Sequence, residues 1–147
     1  MAESLAQEIG LAQIDAILKY LPAFEKEDYE FGEWLTREGS FPNFSYHPEV
    51  NDFIQTLYEQ GIICVFDWTS WKNEAERYQS DSNNLKGADL LTLRKLLTTH
   101  VRIDHFIEGH LASVFESGHI VAILRRLKQI RDSLTESESV TQECAQL

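Results

Sequence analysis

Four of the five histidines in this chain, His100, His105, His110 and His119, fall within twenty residues. Asp104 and Glu108 lie among them, Arg102 sits beside them, and Arg125, Arg126, Lys128 and Arg131 follow downstream. Imidazole titrates near neutrality and a carboxylate can orient it, so these groups could exchange protons with a substrate. Together they could also bind zinc, iron or manganese. On one unbroken helix His100, Asp104 and Glu108 would share a face at four-residue spacing. That arrangement supplies only part of a coordination shell. The inward Glu plus Glu-x-x-His repeat of di-iron bundles is absent, so no metal and no other cofactor is expected. A Gly-x-Ser-x-Gly elbow and a Gly-x-x-x-x-Gly-Lys-Ser/Thr phosphate loop are absent too. The plainer alternative is a buried polar network in which these groups satisfy one another.

Trp68 and Trp71 are three residues apart just after Phe66-Asp67. Such a pair serves as core, as an interhelical anchor, or as the aromatic wall of a ligand cleft. With Arg102 or Arg125 nearby it would suit an anionic planar molecule such as a nucleotide. Residues 110–131 have the helix, glycine, helix outline of a DNA-binding motif. With Gly118 in the turn, however, Ser113, Ser117 and His119 fall where apolar residues belong, and a sequence pI near 4.8 argues against nucleic acid. The basic run sits toward a helix C-terminus, where cations are favoured by the dipole in any case.

The elements that must position these groups are helical. Leu5, Ile9, Ala12 and Ala16, widened by Ile14, Ile17, Leu18 and Leu21, predict a first helix from about Glu3 to Leu21, stopped by Pro22. Residues 22–46 are aromatic-rich and broken by Gly32, Gly39 and Pro42, with a short helix expected near Glu30 to Arg37. Pro48, Glu49, Asp52 and Gly61 bracket a clear helix whose Val50, Phe53, Ile54, Leu57 and Tyr58 form one stripe. Ile62 to Phe66 has strong β-propensity and no comparable partner, which predicts a buried extended connection. Asp67 is the expected N-cap of a helix to about Gln79, with Trp68, Trp71, Ala75 and Tyr78 on one face. A leucine-rich helix follows from about Ala88. It either gives way at Asp104 to a new helix through Ser117, the preferred reading, or runs on to break at Gly109. Ile120, Ile123, Leu124, Leu127 and Ile130 mark the last long helix. The expected fold is all-α: a single compact domain of about six helices over residues 1–132, without significant sheet, and an acidic frayed tail over 133–147.

The chain has 147 residues, enough for one self-sufficient core, and a formal net charge of −11. Residues 1–84 carry 5 Lys/Arg against 16 Asp/Glu, residues 85–131 carry 8 against 4, and the last sixteen carry 0 against 4. The acidic half and the basic segment can attract one another within the fold, or the basic face can meet an anionic partner. Cys64 and Cys144 are far apart and give no framework or thiolate-metal spacing. No basic segment followed by an apolar stretch stands at the start, and no window approaches eighteen apolar residues. A cytoplasmic protein that does not enter membranes is expected.

Several stretches together resemble one family: Phe66-Asp67-Trp68 with Trp71, and Leu96-Leu97-Thr98 leading to Val101-Arg102-Ile103-Asp104. Phe106, Glu108-Gly109-His110-Leu111, Phe115-Glu116-Ser117-Gly118 and Ile123-Leu124-Arg125-Arg126-Leu127 complete the set. The chain is similar, over roughly Leu18 to Arg131, to a small bacterial family defined as a domain of unknown function, found also as an appendage of ADP-ribosylglycohydrolase-like proteins. That family often has arginine after the Asp104 position, where this chain has His105. The resemblance implies a bacterial cytosolic protein and brings no known activity. None of the acidic catalytic motifs of the glycohydrolases occurs here.

Dense polar groups without a catalytic signature point to a non-enzymatic binding or regulatory module. Its expected working surface is Trp68, Trp71, Arg102, Asp104, Glu108, His110 and Arg125, and its partner a protein or an anionic small molecule. The alternative is an enzyme acting on a nucleotide or ADP-ribosyl group, with His110 or Glu108 as acid/base and Arg102 holding phosphate. Arg102 is further expected to be buried against Asp104, Glu108 or helix-end carbonyls, its loss to alanine costing about 3 kcal/mol.

Overall fold

The computed structural model describes residues 8–36, 38–39, 41–134 and 139–141. Strand β1 (Glu8–Gly10) leads into helices α1 (Leu11–Leu18) and α2 (Leu21–Phe24), followed by strands β2 (Gly32–Leu35) and β3 (Asn43–Tyr46). Helix α3 (Pro48–Glu59), a 3-10 turn (Trp68–Trp71) and helix α4 (Lys72–Ser80) follow. A second 3-10 segment (Ser82–Gly87) precedes α5 (Leu90–Asp104), α6 (His110–Glu116), α7 (His119–Ser133) and strand β4 (Ser139–Thr141). The domain is mostly helical. Its described sheet is confined to two antiparallel pairs, β1 with β4 and β2 with β3.

The first helix is shorter than its apolar stripe suggests. Residues 1–7 lie outside the described part, and Glu8–Gly10 pair with Ser139–Thr141. Pro22 does not stop a helix but stands in the first turn of α2, where its missing N–H is not needed. The helix expected over Glu30 to Arg37 is instead one arm of a hairpin. Trp34 lies across from Phe44, their rings 5.4 Å apart, and Phe44 packs on Tyr46. Cross-strand aromatic pairs stabilise a ladder that the local helical pattern did not reveal. A β-carbon at Gly32 would strike the Ser45 carbonyl oxygen at 2.1 Å, so glycine permits this close approach.

Helix α5 is the axis of the fold. Asp89 caps it by accepting from the Thr92 N–H at 2.8 Å, and every residue from Leu93 to Val101 is buried. Its leucines pack with Ile14 and Ile17 of α1, Val50, Phe53 and Leu57 of α3, and Ile120, Ile123, Leu124 and Leu127 of α7. Phe24, Phe53 and Phe115 meet edge to face in the same core. The Ile62–Phe66 run is a connection without a ladder, with Ile62 and Cys64 buried but Val65 exposed. The Cys64 N–H donates to Thr98 Oγ1 at 3.0 Å. No disulfide was suggested by cysteine spacing, yet Cys64 is disulfide-bonded, while Cys144 lies outside the described residues.

The buried arginine of this fold is Arg94, not Arg102. Arg94 is 1% exposed, and its guanidinium donates to the carbonyls of Gly61 (2.9 Å) and Ile62 (3.2 Å), just past the end of α3. Arg102, expected to be buried, lies on the solvent side of α5 and makes no hydrogen bond to the described residues. The last turn of α5 leaves the core there, so an outward position meets water. The acidic and basic parts of the chain do meet: Arg125 pairs with Glu25 and Arg131 with Asp15, each at 2.8 Å, joining α7 to the first two helices. The Arg131 guanidinium also holds the Asp15 carboxyl below the usual carboxylate range. Among the described residues no helix is long and apolar enough to cross a membrane. The expected acidic tail falls largely outside the described residues, apart from the end of α7, Leu134 and β4.

Candidate functional site

The segment from Trp68 through α4 and the stretch from His100 to His110 face each other across a cleft of about 470 Å³. Trp68, Thr69, Lys72, Ala75, Glu76 and Gln79 recur at helical spacing and form one wall. Ile103, Phe106 and Ile107 form the other, with His100 and His110 also in the lining. The Trp68 and Phe106 rings stack 5.9 Å apart with an interplanar angle of 27°. Phe106 and Ile107 are 76% and 58% exposed at this site. Lys72 and Glu76 are one turn apart and both line the cleft, so it carries one charge of each sign, without an ion pair between them among the described residues.

Behind the cleft three histidines are packed together. His100 Nδ1 lies 3.1 Å from His110 Nε2, with their rings stacked, and His119 meets His100 edge-on. His100 and His119 are almost wholly buried, and His100 Nε2 and both nitrogens of His119 have no partner among the described residues. Burial pushes His100 down to about 3 and His119 to about 4, and it lowers His110 as well, against the pull of Asp104. All three are neutral near pH 7. Among the described residues no group of three or more His, Cys, Asp or Glu side chains is arranged to hold a metal ion.

Asp104 and Glu108 do different work. Asp104 is the last residue of α5, and the chain turns over residues 105–109 before α6 begins at His110. From there its Oδ1 accepts from Tyr46 Oη (2.6 Å) and from the Leu111 N–H (2.9 Å), while the Ala112 N–H donates to Tyr46 Oη (3.1 Å). Asp104 therefore caps α6 across the turn, a role its sequence position suggested but a different helix boundary serves. Burial and the Asp104 carboxylate together push the Tyr46 phenol up. Glu108 accepts from the Phe44 N–H at 2.7 Å, and a β-carbon at Gly109 would strike the Trp34 ring at 2.6 Å. Gly109 also has φ of +79°, so only glycine fits this junction easily. Asp104→Ala is expected to cost about 3 kcal/mol, because it strands a phenol and a helix N–H together. Tyr46→Phe should cost about 1 kcal/mol. Urea unfolding of both variants checks this, and an Asp104→Ala loss below that of Tyr46→Phe would contradict it.

Of the seven residues expected to share a surface, only Trp68 and His110 line the cleft. Trp71, expected on the same face as Trp68, points elsewhere: it stacks with Tyr78 and meets Phe66 edge-on. The Lys95 ammonium lies 4.8 Å from both the Phe66 and the Trp71 rings, a cation–π arrangement inside the protein. Arg125 is engaged with Glu25 on the far helices, Arg102 faces solvent, and Asp104 and Glu108 tie the hairpin to the α5–α6 junction. Residues that sequence reasoning did not place in a site are Ile103, Phe106, Ile107, Lys72 and Glu76, while His100, considered as a metal or proton-transfer group, was left out of the expected binding surface. The signal for one wall was present, since positions 68, 72, 75, 76 and 79 share a helical stripe that is neither wholly apolar nor wholly charged.

Comparison with curated proteins and with solved structures finds no match in either set. A family model does match residues 10–133, from the start of α1 to the end of α7, which takes in the cleft, the histidines and the capped junction. The chain belongs to that family, described as a family of unknown function (DUF6508).

Proposed function

We propose that this chain is a small-molecule binding module whose ligand occupies the cleft between the Trp68–Ser80 segment and the His100–His110 stretch. The observation that supports it most is the pairing of aromatic and aliphatic walls with two neutral histidines in a cleft of ligand size. Phe106 and Ile107 add to it, because apolar side chains held at the mouth of a cleft gain from being covered. A regulatory role would follow if occupancy changed how the exposed aromatic rim meets a protein partner. The enzymatic alternative, acting on a nucleotide or ADP-ribosyl group, has His110 in place for proton transfer. Its phosphate would find Lys72 as the one lysine or arginine among the described lining residues, with Glu76 in the same cleft and Arg102 and Arg125 both outside it.

A thermal-shift screen tests the reading with a panel of uncharged aromatic compounds beside NAD, ADP-ribose and mononucleotides. A ligand present at a hundred times its dissociation constant stabilises the native state by about 2.7 kcal/mol, a shift of roughly 5–10 °C for a chain of this size. Phe106→Ala should leave the ligand-free protein within about 0.5 kcal/mol of wild type, because Phe106 is exposed, yet weaken binding. No shift with any compound at millimolar concentration would remove the support for a binding module. A shift with ADP-ribose that Lys72→Ala abolishes would favour the enzymatic alternative.

A further inference from the structure

We infer that the cleft takes an uncharged, planar heteroaromatic ring bearing a hydrogen-bond acceptor, and that His110 Nδ1–H donates to that acceptor. This rests on the binding reading above and deepens it. The first argument concerns charge. The lining holds one lysine, one glutamate and neutral histidines, with no arginine among the described residues, so its formal charge sums to zero and a charged group would lose hydration without gaining a net counter-charge. The second concerns shape. The near-parallel Trp68 and Phe106 rings, with Ile103, Ile107 and Ala75 around them, present flat and apolar surface suited to a ring.

The third argument sets the polarity of the hydrogen bond. His100 Nδ1 and His110 Nε2 share one proton, so one nitrogen donates and the other accepts. If His110 donated, His100 would carry its proton on Nε2, a buried N–H with no partner among the described residues. If His100 donates, its Nε2 is left only an idle lone pair, the less costly orphan. His100 therefore carries its proton on Nδ1, and His110 must carry its own on Nδ1. That nitrogen has no hydrogen-bond partner among the described residues, and His110 lines the cleft. The donor left open is an imidazole N–H, which calls for a ring nitrogen or carbonyl oxygen and rejects a second N–H.

The test compares isoquinoline, which accepts but does not donate, with indole, which donates but does not accept, and with isoquinoline-5-sulfonate, which adds a negative charge. Dissociation constants come from ligand-observed NMR at pH 8 on the full chain, with Phe106→Ala as the control for binding in the cleft. Isoquinoline is expected to bind about five- to tenfold tighter than indole and tighter than the sulfonate, and His110→Phe should level the first two. Nitrogen-15 spectra of the imidazoles in the unmodified protein give a readout independent of any variant, with Nδ1–H expected on both His100 and His110. Indole or sulfonate binding as tightly as isoquinoline, still sensitive to Phe106→Ala, would overturn the inference and leave the binding site standing. An Nε2–H tautomer at His110 would also overturn it. Absence of Phe106-dependent binding by all three rings would overturn both.

Discussion

Arg94→Ala is expected to destabilise the protein by about 4 kcal/mol, whereas Arg102→Ala should change its stability by less than about 0.5 kcal/mol. The two arginines stand eight residues apart on one helix, and their surroundings decide the difference. Arg94 is 1% exposed and its guanidinium fork reaches two successive carbonyls, Gly61 and Ile62, where α3 has ended. Those oxygens belong to the buried connection that follows α3, where no helical ladder supplies them a donor. Removing the fork strands both and leaves a cavity the size of a long side chain in the middle of the core. Arg94→Lys should recover little, because one ammonium cannot span two carbonyls in a fixed plane. Urea unfolding of the three variants measures this. An Arg94→Ala loss under 1 kcal/mol, or a loss at Arg102 as large, would sink the assignment.

Acid should weaken the fold well before its carboxylates titrate. His100 and His119 take up protons near pH 6.5 when unfolded, but only near 3 and 4 when folded. Between those limits the unfolded chain holds more protons, so stability falls as pH drops below about 6.5 and stops falling once the folded values are passed. At pH 5 each histidine accounts for about 2 kcal/mol, from 1.36 kcal/mol per unit of separation, or about 4 kcal/mol for the pair. His119 opens α7 with both nitrogens unpartnered among the described residues, so His119→Leu removes a titrating group along with buried polar atoms. That variant should lose only about half as much between pH 7 and pH 5, and should exceed wild type at the lower value. Equal melting temperatures for the wild type at pH 7 and pH 5 would contradict the account.

The two predictions also show which features were legible in the residues. Helices α3, α5 and α7 were, because their apolar positions recur at helical spacing between recognisable caps, and these helices carry most of the core. The β2–β3 hairpin was not. Its evidence is a pairing of Trp34 with Phe44, which no pattern local to Glu30 to Arg37 contains. The concentration of chemistry between His100 and His119 was plain as composition but not as geometry. A helical stripe says which residues share a face, but not which faces will meet. Trp68 and Trp71 therefore looked like neighbours and part company, and Arg102 looked like the structural arginine because it is close in sequence to Asp104. Arg94, hidden in a run of leucines and threonines, could be recognised only once the end of α3 was seen beside it. His119 joins His100 through a fold-back over α6 that spacing alone does not give.

The ladder of β1 with β4 has a consequence for how this domain can be carried. Ile9 stands opposite Val140 and Gly10 opposite Ser139, so the segments before α1 and after α7 come together here, their paired residues about 5 Å apart. A helical unit bounded by two such paired segments can be spliced into a surface loop of a larger host without prising that loop open. It can equally hang from either end of a neighbouring domain by a short tether. The cleft beside α4 is built from residues 68–110, well apart in sequence from both strands of this ladder.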